Sequence, residues 1–196
     1  ADFIEILTGI RHNTISPAQL SALNARVDPH CLTAEAGHVF LTTTNANADR
    51  LNANKLAQLP TEAITFTAIS SGKFDAKVAP TEHYLSLKIN AQIMFLTNDS
   101  QYRWVNGSIG TIMEIDEFEE EITVKLSTGK IVKVSPYKWT LHRYNFDANK
   151  QQLVQESAGS FRQFPFKLAW AMTIHKSQGK TFDQVVVDLE NGTFAS

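Results

Sequence analysis

The chain has 196 residues, 43% of them hydrophobic, and its 18 basic and 20 acidic side chains leave a formal charge of −2. That composition excludes intrinsic disorder, and the near-neutral balance excludes a strongly basic domain that holds nucleic acid by charge alone. No apolar run approaches the ~18–20 residues of a membrane span, and no signal peptide is visible. The single Cys31 rules out an intrachain disulfide and a cysteine zinc cluster, which favours a reducing compartment.

Phe3, Leu7 and Ile10 recur at helical spacing and predict a first helix. Ser16-Pro17-Ala18-Gln19 then offers an N-cap, a proline at the first helical position and a glutamine three residues after the cap. Leu20, Leu23 and Val27 form the expected buried stripe of that second helix, and Asp28-Pro29 should stop it. Val39-Phe40-Leu41 reads as a short buried strand. The polar turn Thr42 to Asn47 follows, then a helix carrying Leu51, Leu56 and Leu59 and ending at Pro60. Ile64 to Ile69 alternates apolar and threonine residues as a further strand. Strand, turn, helix, strand predicts a βαβ unit and a parallel sheet.

From about Ser70 the period changes. Residues 70–86 look like loop. Short strands follow at Ile93–Leu96, Ile109–Ile115, Ile122–Leu126, Ile131–Val134, Trp139–Phe146 and Leu153-Val154. Asn106-Gly107, Thr128-Gly129 and Asp147-Ala148-Asn149 are the turns between them. Many strands with close turns indicate a small barrel. At about Phe164 the α/β pattern resumes.

The segment 164–189 holds the densest chemistry. An apolar run leads into Thr173, His175, Lys176, Ser177, Gln178 and Gly179, and a second apolar run, Val185 to Val187, follows at once. Such junctions are where α/β sheets bind phosphates and nucleic acid. Thr173 and His175 alternate with apolar neighbours, so both face one side if the stretch is extended. A hydroxyl donates to a phosphate oxygen, and an imidazole donates or stacks on a base; equally, Thr173 caps a turn and His175 is structural. Lys176 either pairs with a phosphate or is simply solvated. Thr42, Thr43, Thr44 and Asn45 precede a helix, which suits either a strand-backbone contact, with Asn45 foremost, or an ordinary N-cap. Arg103, Trp104 and Asn106 set a ring beside a cation, a pairing that engages a single strand or merely fills a core. Glu117 and Glu119–Glu121 form an acidic turn that reads as a solvated tip. His12, His30, His38, His83 and His142 show no metal-ligand spacing with one another or with Cys31, so no metal site is expected.

The sequence AWAMTIHKSQGKTFD at 169–183 resembles the fifth helicase motif of superfamily-one DNA helicases in the RecD-like and Pif-type branch. VFLTTTNANADRLN at 39–52, LKINAQIMFLTND at 87–99, WVNGSIGTI at 104–112 and DFIEILTGIRHNTIS at 2–16 are similar to the same branch, in the same order. The resemblance implies an α/β fold, a discontinuous RecA-like second motor domain with an inserted small all-β SH3-like barrel. Its segments would be 1–78, then 79–163 for the insert, then the return 164–196. It also implies a single-stranded DNA translocase moving 5′ to 3′, driven by ATP and Mg²⁺. Thr43, Asn45, Thr173, His175, Lys176, Ser177, Arg103 and Trp104 would lie at the DNA, and Gln178 and Gly179 would approach the terminal phosphate of ATP. Lys180 departs from the hydrophobic residue common at its position, and Thr181 cannot reproduce a ribose-contacting acid. No G-x-x-x-x-G-K-[ST] phosphate loop occurs, and the arginine-finger motif is not found either. The chain thus reads as a fragment, with no catalytic residue of its own. It would be inactive alone and would partner an N-terminal RecA-like domain in a cytoplasmic or nucleoid-associated protein of DNA repair or recombination. The other reading is a non-catalytic nucleic-acid- or protein-binding module.

Overall fold

The computed structural model describes residues 3–28, 37–74, 79–147 and 152–189. The chain divides into two compact units, 1–35 and 36–196. Cys31, His30 and Pro29 lie outside the described residues, as do Ala148 and Asn149 of the expected third turn.

In the first unit, α1 (Phe3–Arg11) and α2 (Pro17–Asn24) form a helical pair. The predicted cap is present in full: Gln19 N–H donates to Ser16 Oγ at 3.2 Å, and Ser16 N–H donates to Gln19 Oε1 at 2.9 Å. Ile6 and Gly9 are the buried residues of α1. Leu20 and Val27 stay exposed, contrary to the expected stripe. α2 is too short to carry Val27, and two short helices have too little surface to cover each other's apolar faces.

The second unit is built on strands. β1 (Val39–Thr42) lies between β12 (Ala171–Thr173) and β13 (Val185–Asp188) in a parallel three-stranded sheet. Thr42 pairs with both Thr173 and Asp188, so the three strands end level. α3 (Asn45–Gln58) follows β1. The expected βαβ unit within 39–69 does not form. β2 (Ile64–Thr67) instead pairs antiparallel with β4 (Tyr84–Leu87). β2 alternates half-buried with exposed side chains. Val39 and Phe40 of β1 are buried in succession. Parallel sheets covered on both faces take the second kind of strand and leave the first for solvated antiparallel pairs.

Two further sheets are antiparallel. One runs in the order β11 (Phe166–Leu168), β5 (Gln92–Phe95), β6 (Ile109–Asp116), β7 (Glu121–Leu126), β8 (Ile131–Val134). The other sets β10 (Gln152–Gln163) between β3 (Ile69–Gly72) and β9 (Tyr137–Asp147). The expectation of one small closed barrel is therefore corrected. Among the described residues β8 and β11 end their sheet without pairing to each other, and β9 and β10 belong to a separate sheet. Strands also form at β3 and β4, where loop was expected over 70–86.

β5 ties the layers together because it is buried on both faces. Ile93 and Phe95 enter the larger core with Leu85, Ile112, Val124 and Phe166. Met94, on the opposite face, packs with Val39, Ala169 and Met172. The buried Gln92 completes the join: its amide nitrogen donates to His38 O at 2.9 Å and Ala169 O at 3.0 Å, and its oxygen accepts from Gly37 N–H at 3.0 Å. A buried amide with all these partners is fixed in orientation, since losing one would leave a desolvated polar atom.

Candidate nucleic-acid interface

The carboxyl ends of β1 and β12 carry the segments that the sequence singled out. Thr44 follows β1 as the N-cap of α3, its hydroxyl accepting from Asn47 N–H at 3.2 Å, while Thr42 Oγ1 donates to Thr44 O at 3.0 Å. Thr173 ends β12 and caps α4 (Ile174–Ser177) without a side-chain cap hydrogen bond. Thr43, Thr44, Asn45, Thr173, His175 and Lys176 line one open groove. In parallel α/β sheets this edge is where ligands bind, because helix amino termini and loose strand-end groups converge there.

Five of the expected contact residues are thus brought together, though not by the expected geometry. The stretch 173–175 is not extended: Thr173 is the last residue of a strand and His175 already lies in a helical turn. Thr173 is buried, whereas His175 and Lys176 are exposed. Ser177 commits its hydroxyl to Ile174 O at 2.7 Å. Gln178 caps the end of α4 and is exposed. Gly179 has φ +73°, a left-handed conformation that favours glycine, and a Cβ there would meet no atom beyond its chain neighbours within 4 Å.

Arg103 and Trp104 lie elsewhere, on the loop between β5 and β6. Arg103 donates from Nε to Asp99 Oδ2 and from Nη2 to Asp99 Oδ1, both at 2.8 Å. That hydrogen bonding holds the Asp99 carboxyl down to about 2. Trp104 is 7% exposed and stacks on Phe95 at 4.5 Å, with the Arg103 guanidinium carbon 4.6 Å from its ring centre. As a platform for a base, Trp104 is corrected by this burial: it is a core side chain. The acidic turn is likewise not wholly solvated, since Glu120 pairs with Arg162 at 2.7 Å and Glu121 with Lys133.

Beside the groove is a cleft of about 470 Å³ whose lining includes Asn45, Asp49, Asn52, Glu82, Lys167 and Lys176. Burial, then Lys176 and Lys180, push the Lys167 ammonium below its ordinary value. Burial, then Asp49, push the Glu82 carboxyl up, with Lys167 opposing. The cleft therefore sets a partly desolvated ammonium among the Asp49 and Glu82 carboxylates, which offset its attraction for an anion. The sequence reading missed Lys167, although a lone charge inside the apolar run 164–172 was a usable signal. It also missed Asn52, which holds β12: its amide donates to Ala171 O and accepts from Ala171 N–H, both at 2.9 Å. Among the described residues no three His, Cys, Asp or Glu side chains converge to hold a metal ion, and no helix is long and apolar enough to cross a membrane.

Comparison with known proteins follows the same lines. No protein-family model matches the chain. It is 34% identical over 192 residues to the ATP-dependent DNA helicase Pif1 of Bdellovibrio bacteriovorus, which covers 95% of the chain and 41% of that protein. It is 28% identical over 200 residues to ATP-dependent DNA helicase PIF1 of Danio rerio, covering 95% of the chain and 29% of that protein. Among solved structures, unliganded Pif1 from Bacteroides sp matches with a TM-score of 0.86 at 31% identity, over 97% of this chain and 43% of that one. Bacteroides Pif1 bound to ssDNA matches with a TM-score of 0.77 at 31% identity over the same shares. The chain spans less than half the length of these relatives.

Proposed function

The chain belongs to the Pif1 family of DNA helicases, and from that premise we propose that it is the second motor domain of an ATP-dependent helicase that moves 5′ to 3′ along single-stranded DNA. In this reading 1–78 and 164–196 make a discontinuous RecA-like domain and 79–163 is its SH3-like insert. The parallel sheet supports that division, since β1 takes both its partners from beyond residue 163.

Thr43, Asn45, Thr173, His175 and Lys176 grip the strand backbone. Ser177 shapes the turn beside them, and Arg103 and Trp104 brace the loop of the insert rather than touch the strand. ATP and Mg²⁺ would be held between this domain and a first RecA-like domain that supplies the phosphate loop. Gln178 and Gly179 form the wall on this side, and the exposed amide and the open space beside Gly179 fit an incoming terminal phosphate. When bound, the nucleotide supplies the free energy of cleavage. What this chain does is change its hold on DNA as the interdomain gap closes. The chain without its partner domain is expected to hydrolyse no ATP, and the intact helicase to act in the cytoplasm or at the nucleoid.

The observation that carries this reading is the shared groove at the carboxyl ends of β1 and β12. Gln178→Ala in the intact helicase should cut unwinding at least about tenfold while leaving the thermal midpoint unchanged, because the side chain is exposed. Full unwinding activity in that variant would refute the assignment. If the partner-complete protein shows no ATP-dependent unwinding at all, the non-catalytic binding-module reading takes its place.

A further inference from the structure

The loop between β5 and β6 holds its backbone with unusual firmness. Asp99 Oδ2 accepts from the N–H groups of Gln101 and Arg103, each at 3.1 Å, as well as from the Arg103 guanidinium. Asp99 N–H donates to Trp104 O at 3.1 Å, Tyr102 N–H donates to Asp99 O at 3.1 Å, and Asn106 N–H donates to Asn98 Oδ1 at 2.8 Å. The far end is tied to the return segment: Lys180 Nζ donates to Asn106 Oδ1 at 3.1 Å, and its stem lies against Gly107. At the centre of this brace Tyr102 has φ +57° and is 90% exposed. A bulky aromatic residue in the left-handed region is a steric outlier, and such strain persists only where the surroundings impose it.

We propose that Tyr102 is a stacking platform for a nucleobase of single-stranded DNA. This rests on the helicase reading above. A base needs only an open ring face held at a fixed angle, whereas a protein partner needs an apolar patch around its anchor. Tyr102 has polar neighbours in Gln101 and Arg103. The loop's Lys180 tie joins it to the segment that carries His175 and Lys176. Phe118 is as exposed, at 93%, but it sits among Glu117, Glu119 and Glu120, which repel a polyanion. Arg103, the loop's one Lys or Arg, is matched by Asp99, so the loop contributes stacking without a free cation.

The test is a salt-series titration of the chain with a short single-stranded oligonucleotide carrying a fluorescent base analogue, beside a urea unfolding curve. Tyr102→Gly should weaken binding roughly tenfold, leave the slope of affinity against salt unchanged, and resist urea at least as well as the parent. Tyr102→Phe should bind as the parent does. Lys176→Ala, by contrast, should lower the slope by about one phosphate contact. Parent-like affinity in Tyr102→Gly, a reduced slope in that variant, or easier unfolding would each overturn the proposal. If Tyr102→Gly binds normally while Lys176→Ala does not, only this inference fails; if the parent binds no strand, the helicase reading fails with it.

Discussion

Asn52 is the residue through which α3 fixes the edge of the parallel sheet, and its removal gives a sharp prediction. β12 is an edge strand, and Phe40 N–H donates to Trp170 O, which turns the N–H and C=O of Ala171 away from β1. Asn52 takes both groups at 2.9 Å, and Ala171 is only 2% exposed. Asn52→Ala would remove two hydrogen bonds worth about 1 kcal/mol each and leave two backbone groups short of partners. The adjoining cleft lets water replace part of the loss, so the expected cost is about 2 kcal/mol rather than twice that. Asn52→Asp keeps the acceptor but sets a carboxylate against Ala171 O, and should cost at least as much. Urea unfolding at neutral pH reads both values from the shift in midpoint at constant slope. Because Thr173 is two residues along the same strand, single-strand affinity should fall with stability in both variants. A cost under about 0.5 kcal/mol for Asn52→Ala would refute the idea that the amide holds the edge.

Two further outcomes follow from local geometry. The Asp99 carboxyl is depressed from its ordinary 3.8 to about 2, so its stabilisation is present above about pH 4 and is lost as pH falls through the native value. With Arg103 partly in solvent, about 1–2 kcal/mol should disappear between pH 4 and pH 2 in urea unfolding, and Asp99→Asn should abolish that part of the pH dependence. A Cβ on Gly72 would lie 2.4 Å from Ala158 O at φ +64°, whereas one on Gly129, at φ +85°, would meet nothing within 4 Å. Gly72→Ala should therefore cost about 3 kcal/mol and Gly129→Ala about 1 kcal/mol, and equal costs would show that crowding at Gly72 is relieved by backbone movement.

Local signals in the sequence translated well where the physics is local. Ser16 and Gln19 make the predicted capping box because both partners lie within one turn. The Thr128-Gly129 turn separates β7 from β8, where Gly129 N–H donates to Leu126 O at 2.8 Å and the residue takes the left-handed conformation that glycine supplies. The candidate groove was legible in part for the same reason: Thr43, Asn45, Thr173, His175 and Lys176 sit in polar junctions between apolar runs, and all five line it. Asn52 was not read, since it takes its role from Ala171, remote in sequence, and Lys167 owes its environment to burial that only the fold creates.

What the sequence by itself determined is many of the strands, the caps and the polar junctions, and a likeness to helicases strong enough to order them. Pairing partners were decided only in three dimensions. β1 pairs with strands from residues 171–188 rather than with nearby β2, and β9 and β10 leave the expected barrel for their own sheet. The physical reason is that a strand's partner is set by which faces it must bury. β5, buried on both sides, commits Met94 to one core and Phe95 to the other, and so joins sheets that no spacing along the chain connects.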